Sequence, residues 1–267
     1  MVLLASELRP DSSVVAEVRR SPNHSERKNG ATPDMIVLHY TEMQDNETAV
    51  RQLCTPQSEV SAHYVVYQDG HIIQLVAEAR RAWHAGVSSW AGETDINSCS
   101  IGIEIANPGH NQGYPDFPRR QIAAVTALCR SILTRHQIPP DRILAHSDVA
   151  PSRKQDPGEK FPWKLLYESG VGLWVEPAPI NDWTALVPGD KGEEVSALQR
   201  SFAEYGYGIE ATGEYDIPTK EVVIAFQRHF RQAQVDGLAD TSTRETLRRL
   251  LNARSRLEPP KAASPGS

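Results

Sequence analysis

Two short apolar runs, Met35-Ile36-Val37-Leu38-His39-Tyr40 and Ile143-Leu144-Ala145-His146, each carry a histidine at the downstream end, and this pattern narrows the possible folds more than any other feature. Such β-rich runs read as strands, and a histidine that terminates one faces a cleft at the end of a sheet. Three further segments, Ala62 to Gln68, His71 to Val76 and Ser100 to Ala106, read the same way. Asp69-Gly70 marks a tight hairpin turn between the first two. From Pro118 to Arg135 the period changes, and Ile122, Val125, Leu128, Cys129 and Ile132 fall on one helical stripe. The predicted class is α/β, a mixed β-sheet flanked by helices.

A chain of 267 residues suits two domains. Pro and small polar residues from Val175 to Asn181 interrupt the pattern, which predicts a linker at 176–183 between a domain at 21–175 and a smaller one at 184–252. Residues 1–20 are left as an N-terminal extension. The end of the chain, 253–267, is expected to be a disordered tail, with Pro, Ala, Ser and Gly concentrated from Glu258 onward. In the smaller domain Glu193 to Tyr205, Thr219 to Arg231 and Ser242 to Asn252 are expected helices, burying Val195, Leu198, Phe202, Val222, Val223, Phe226, Leu247 and Leu250. This three-helix domain carries no constellation of acids, histidines or cysteines, so its expected role is binding.

A net charge of -6, with no long Lys/Arg block, argues against nucleic acid as a partner. No run approaches the ~18 apolar residues of a membrane span. Cys54, Cys99 and Cys129 are odd in number and widely spaced, which fits unpaired core residues in a reducing compartment. The first residues, Met1 to Glu7, lack the basic lead and full apolar stretch of a signal peptide, so a cytoplasmic location is expected, with the periplasm or cell envelope as the alternative if another route exports the chain.

The chemistry concentrates on a few positions. His39, His146 and Asp156 make a plausible zinc set, since two imidazoles and one carboxylate leave a fourth position for water, the ligand count of a catalytic zinc site. The loop from Ser147 to Asp156 can turn back onto the metal, with Pro157-Gly158 fixing the turn. Asp148 is a rival ligand but reads better as an orienting or capping group. Glu104 shares a strand face with Gly102 and Ala106, an open and low-dielectric setting for a general base. Lys154, two residues before Asp156, could stabilise an oxyanion. His63 alternates with Val65 and Tyr67 and reads as structural. His84 follows Trp83 in a loop; both are expected to line the substrate cleft, with Tyr40 beside His39.

The motifs Val37-Leu38-His39-Tyr40-Thr41, Ala82-Trp83-His84-Ala85-Gly86, Ile101-Gly102-Ile103-Glu104-Ile105, His146-Ser147-Asp148 and Lys154-Gln155-Asp156-Pro157-Gly158 closely resemble those of one family. They look like the zinc-dependent N-acetylmuramoyl-L-alanine amidases with the peptidoglycan-recognition (type 2 amidase) fold, over roughly Ser21 to Trp174. The resemblance implies cleavage of the amide between the lactyl group of N-acetylmuramic acid, ordinary or 1,6-anhydro, and L-alanine of the stem peptide. It also implies one Zn2+ on His39, His146 and Asp156, with Glu104 as base and Lys154 steadying the tetrahedral intermediate. Gly189-Asp190, Ala225-Phe226-Gln227 and Val235-Asp236-Gly237-Leu238 are similar to the three-helix peptidoglycan-binding module of wall hydrolases. The expected partners are therefore peptidoglycan or muropeptides, met by a monomer. The rivals are a non-catalytic muropeptide-recognition protein and a zinc peptidase that cuts within the stem peptide.

Overall fold

The structure is a computed structural model and describes residues 9–180 and 184–257. In the N-terminal part the order is β1 (Glu17–Val18), β2 (His24–Glu26), β3 (Met35–Tyr40), α1 (Asn46–Cys54), β4 (Tyr64–Val66), β5 (Ile72–Gln74) and β6 (Arg80–Ala82). It continues through α2 (Ile96–Cys99), β7 (Ser100–Ile105), α3 (Arg119–Leu133), β8 (Ile143–Ala145), α4 (His146–Val149) and α5 (Trp163–Glu168). The C-terminal part holds β9 (Ala185–Leu186), α6 (Glu193–Tyr205), α7 (Ile217–Phe230), β10 (Ala239–Asp240) and α8 (Thr241–Arg254).

Six strands form one sheet in the order β1-β5-β4-β7-β3-β8, while β2 and β6 make a separate pair. The three strands β7, β3 and β8 run parallel, and β5 returns antiparallel to β4, so the sheet is mixed as expected. Every residue of β3 is buried. The hairpin between β4 and β5 closes at Gly70, whose φ of 89° is a left-handed conformation that glycine adopts at low cost. Its strands are shorter than the sequence pattern suggests, because the ladder spans only Tyr64 to Val66 against Ile72 to Gln74.

On α3 the expected stripe is the buried one: Ile122, Val125, Leu128, Cys129 and Ile132 all face the sheet. Each such side chain contributes ~1.5–3 kcal/mol by leaving water. Helix α1 is absent from the sequence reading, although its signal is present, since Asp45 caps it by accepting from the Thr48 backbone N at 2.8 Å. Of the cysteines, Cys99 and Cys129 are buried and Cys54 is half-buried; all three are free.

Three boundaries differ from the expectation. Strand β1 lies inside the presumed extension and pairs with β5, with Glu17 beside Ile73, so the sheet begins before residue 21. The linker is not free either: Ala178 is buried, donating its backbone N to Thr246 Oγ1 and accepting from Ser242 Oγ. Helix α8 continues to Arg254. The remainder of the expected tail, residues 258–267, lies outside the described residues, as do 1–8 and 181–183.

Helices α6, α7 and α8 bury all eight predicted apolar side chains. Asp216 and Asp240 cap α7 and α8 by accepting from the backbone N of Thr219 and Thr243. This bundle packs directly on the sheet domain, with α7 against α4 and Trp90 edge-on to Tyr205 and Tyr207. No helix among the described residues is long and apolar enough to cross a membrane.

Candidate active site

Strand register sets the first contact. Strands β3 and β7 pair so that His39 and Glu104 stand side by side at their downstream ends, both facing the same cleft. Strand β8, paired to the other side of β3, stops at Ala145, and His146 opens α4 rather than closing the strand. The loop after α4 then returns, held by the Ser147 backbone N donating to the Asp156 carbonyl at 3.0 Å. Gly158 follows with φ 83°, in the left-handed region the turn requires.

These elements bring three donor atoms together. His39 Nδ1 lies 2.9 Å from His146 Nδ1 and 3.2 Å from Asp156 Oδ2, and His146 Nδ1 is 3.0 Å from the same carboxylate oxygen. All three residues are buried. Their outer contacts settle which ring nitrogens carry hydrogen. His146 Nε2 faces the Ala85 carbonyl at 3.0 Å, and a carbonyl only accepts, so Nε2 carries the hydrogen and Nδ1 presents a lone pair in the neutral ring. Ser100 Oγ donates to the Ile96 carbonyl, so it accepts from His84 Nε2 at 3.1 Å. His84 Nδ1 must then accept from His39 Nε2 at 3.0 Å, which leaves His39 Nδ1 a lone pair as well.

The charges agree with that arrangement. Burial, with the nearby His146, pushes His39 down to about 4, so its ring is neutral near pH 7. Asp156, an ordinary carboxylic acid and so the most acidic of the three, supplies the carboxylate. Two neutral nitrogens and a carboxylate oxygen with their lone pairs converging on one point repel one another unless a cation lies between them. The donor set thus fits a metal ion in the protonation states that metal binding needs.

Glu104 is the adjoining acid. The residue opens partly to the cleft, yet its Oε2 is shut off from solvent and has no hydrogen-bond partner. Burial raises its pKa well above the usual value, the Asp156 charge raises it further, and Lys154 partly opposes them. Lys154 lines the same cleft, of about 450 Å³. Its backbone N is fixed to the Ala150 carbonyl at 3.0 Å.

The expected substrate contacts differ in what they can offer. Trp83 lines the cleft, half-buried, its indole N donating to Ser25 Oγ. Tyr40 lines it too, but its hydroxyl is engaged with His110 Nδ1 at 3.0 Å. His84 spends both ring nitrogens inside the protein, on His39 and Ser100, so it has none left for a substrate. Gly102 lies against the His84 ring so closely that any side chain there would collide with it. His63 is held by the Gly102 backbone N and the Arg80 carbonyl, away from the donor cluster. Asp148 caps α4 by accepting from the Ala145 backbone N at 2.8 Å.

Sequence reasoning overlooks Asn97, whose Oδ1 accepts from the backbone N of both His84 and Ala85 and so fixes the loop behind the donors. It also passes over Arg153, which lines the cleft and donates to the Ala85 carbonyl at 3.1 Å. Neither carries a local signal, because their partners lie more than ten residues away in sequence.

The chain is similar to known proteins along most of its length. The family model described as N-acetylmuramoyl-L-alanine amidase matches residues 29–159, and one described as a peptidoglycan binding domain matches 191–247. N-acetylmuramoyl-L-alanine amidase AmiD of Escherichia coli (strain K12) is 36% identical over 232 residues, 81% of this chain and 82% of the relative. The solved complex of that amidase with anhydro-N-acetylmuramic acid-L-Ala-D-gamma-Glu-L-Lys superposes with a TM-score of 0.71 at 34% identity, over 85% of this chain and 92% of the other. AmpDh3 from Pseudomonas aeruginosa, in complex with anhydromuramic pentapeptide, gives 0.67 at 33% identity, over 86% and 93%. With the amidase model on the residues that build the cleft and a relative alike across both parts of the chain, this protein belongs to the N-acetylmuramoyl-L-alanine amidase family.

Proposed function

We propose that the protein hydrolyses the amide between N-acetylmuramic acid, ordinary or 1,6-anhydro, and L-alanine of muropeptides, using one zinc ion held by His39, His146 and Asp156. The observation that carries this reading is the convergence of three lone pairs beside Glu104 at the floor of an open cleft. The triangle of donor atoms has its centre about 1.8 Å from each corner, within the ~2.0–2.1 Å reach of zinc to nitrogen, which supports zinc as the ion. Two nitrogens and one oxygen also leave a position open, as catalytic zinc sites do.

Zinc bound there supplies Lewis acidity toward a carbonyl oxygen and makes water a better acid. The chain's own groups do the rest. Glu104, with an unpartnered oxygen and a raised pKa, takes a proton from the attacking water and returns it to the departing L-alanine nitrogen. The Lys154 ammonium, in the lining of the same cleft, would stabilise the negative charge that develops on the lactyl carbonyl oxygen. Trp83 offers a flat face to a sugar ring, while Tyr40 shapes the wall of the cleft. His84, with no nitrogen to spare, keeps His39 in the right tautomer instead.

The amidase domain centres on 21–175, extended upstream by β1, and the bundle at 184–252 adds contact with glycan or larger muropeptides. One chain contains the whole site, which supports action as a monomer. Three free cysteines support the cytoplasm as the compartment, to be checked by cell fractionation. The deciding experiment is mass spectrometry of products from 1,6-anhydro-muropeptides and from sacculi, with a chelated control. Chelator-sensitive release of a peptide beginning with L-alanine is the expected result. Binding without release would leave a recognition protein, and a cut within the stem peptide would make it a peptidase.

A further inference from the structure

Asp148 stands two residues past His146 in α4, without exposed surface. Besides the Ala145 backbone N, its carboxylate has two partners, and both come from the C-terminal bundle. The Tyr207 hydroxyl donates to Oδ1 at 2.7 Å, and His229 Nδ1 lies 2.7 Å from Oδ2. A carboxylate only accepts, so Nδ1 of His229 carries the hydrogen. The His229 ring is itself stacked on Trp163 of the sheet domain, with centroids 3.7 Å apart. Helix α7 reaches the same loop again through Arg228, which donates to Gln155 Oε1 beside Asp156.

A tethered binding module would keep its polar groups for solvent or ligand. Here the bundle commits two buried donors to a carboxylate that faces away from the cleft. If either donor were lost with the bundle still docked, Asp148 would stay buried one partner short, and a buried carboxylate short of partners forces local rearrangement. That rearrangement would reach the metal donors, because α4 begins at His146 and Ser147 N holds the Asp156 carbonyl. We infer that the C-terminal bundle is a structural part of the metal centre, and that Tyr207 and His229 are positioning residues that hold His146 and Asp156 in metal-binding geometry. The inference rests on the zinc site proposed above.

The test is zinc affinity of the full chain, stripped of metal and titrated against a chromophoric chelator, for wild type, Tyr207→Phe, His229→Leu and His229→Asn. Tyr207→Phe and His229→Leu are each expected to weaken zinc binding about 10-fold, the lower end for lost outer-shell support. His229→Asn, whose amide can donate from the place of Nδ1, is expected to recover binding to within about threefold of wild type. Affinities within about twofold of wild type in both weakening variants, whatever their thermal stability, would overturn the inference, since RT ln 2 is below half a kcal/mol. Should His229→Leu fail to fold, Tyr207→Phe, which loses one oxygen atom, decides alone. A wild-type chain that binds no zinc would instead sink the metal-site reading, and this inference with it.

Discussion

Replacing Glu104 by Gln keeps the size of the side chain and removes its ability to take a proton. General acid–base catalysis contributes ~10²–10⁴-fold, so kcat should fall by that factor, equivalent to about 3–5 kcal/mol of barrier. The same change should stabilise the metal-free protein. Oε2 of Glu104 is buried without a partner, and both burial and the Asp156 charge disfavour its ionised form. Its folded pKa is raised, so the native state binds more protons than the unfolded chain, and stability falls as pH rises beyond the ordinary carboxylate range. Relieving an uncompensated buried group is worth ~1–3 kcal/mol, and taking about 1 as the gain gives a rise of roughly 2–4 °C in Tm for a domain of this size. The assays are steady-state turnover of a 1,6-anhydro-muropeptide with zinc and thermal unfolding of chelated protein from pH 5 to 8. Retention of more than a third of kcat would refute the base assignment. A Tm that drops in the variant at pH 8 would refute the electrostatic argument, because it would mean the ionised carboxylate is stabilised in the fold.

Other changes test the remaining parts of the site. Lys154→Ala should lower kcat ~10²–10³-fold, the range for loss of one oxyanion donor, as read by single-turnover kinetics. Chelation should abolish turnover, and zinc restored at ~1,000 times its Kd should stabilise the fold by about 4 kcal/mol in a melting assay. Gly102→Ala would drive a methyl group into the His84 ring and should cost ~1–3 kcal/mol in denaturant unfolding, with weaker zinc binding because His39 loses its orienting partner. Asp45→Ala removes the α1 cap and should cost ~1 kcal/mol while leaving zinc affinity unchanged.

Much of this was legible in the sequence because local pattern and local structure agree. An uninterrupted apolar run from Met35 to Leu38 has no stable alternative to a buried strand, and the stripe from Ile122 to Ile132 has the period of a helix packed on one side. Helix α6 occupies the predicted residues, Glu193 to Tyr205, for the same reason. His39, His146 and Asp156 were identifiable by residue type and by their positions at or after strand ends. Tertiary structure alone decided what each could do. That His39 lies beside Glu104 depends on β3 and β7 pairing in one register, and a slip of a single residue would turn one of them away from the cleft. The tautomer of His39 depends on a relay through His84 and Ser100 to the Ile96 carbonyl, whose members come from three separate segments. His84 lines the cleft as expected, but sequence can suggest only that a ring is near the cleft and not where its two nitrogens are spent. The docking of the bundle was likewise invisible, because Asp148, Tyr207 and His229 look like unrelated residues until folding brings them together away from water, where an unpaired carboxylate could not persist.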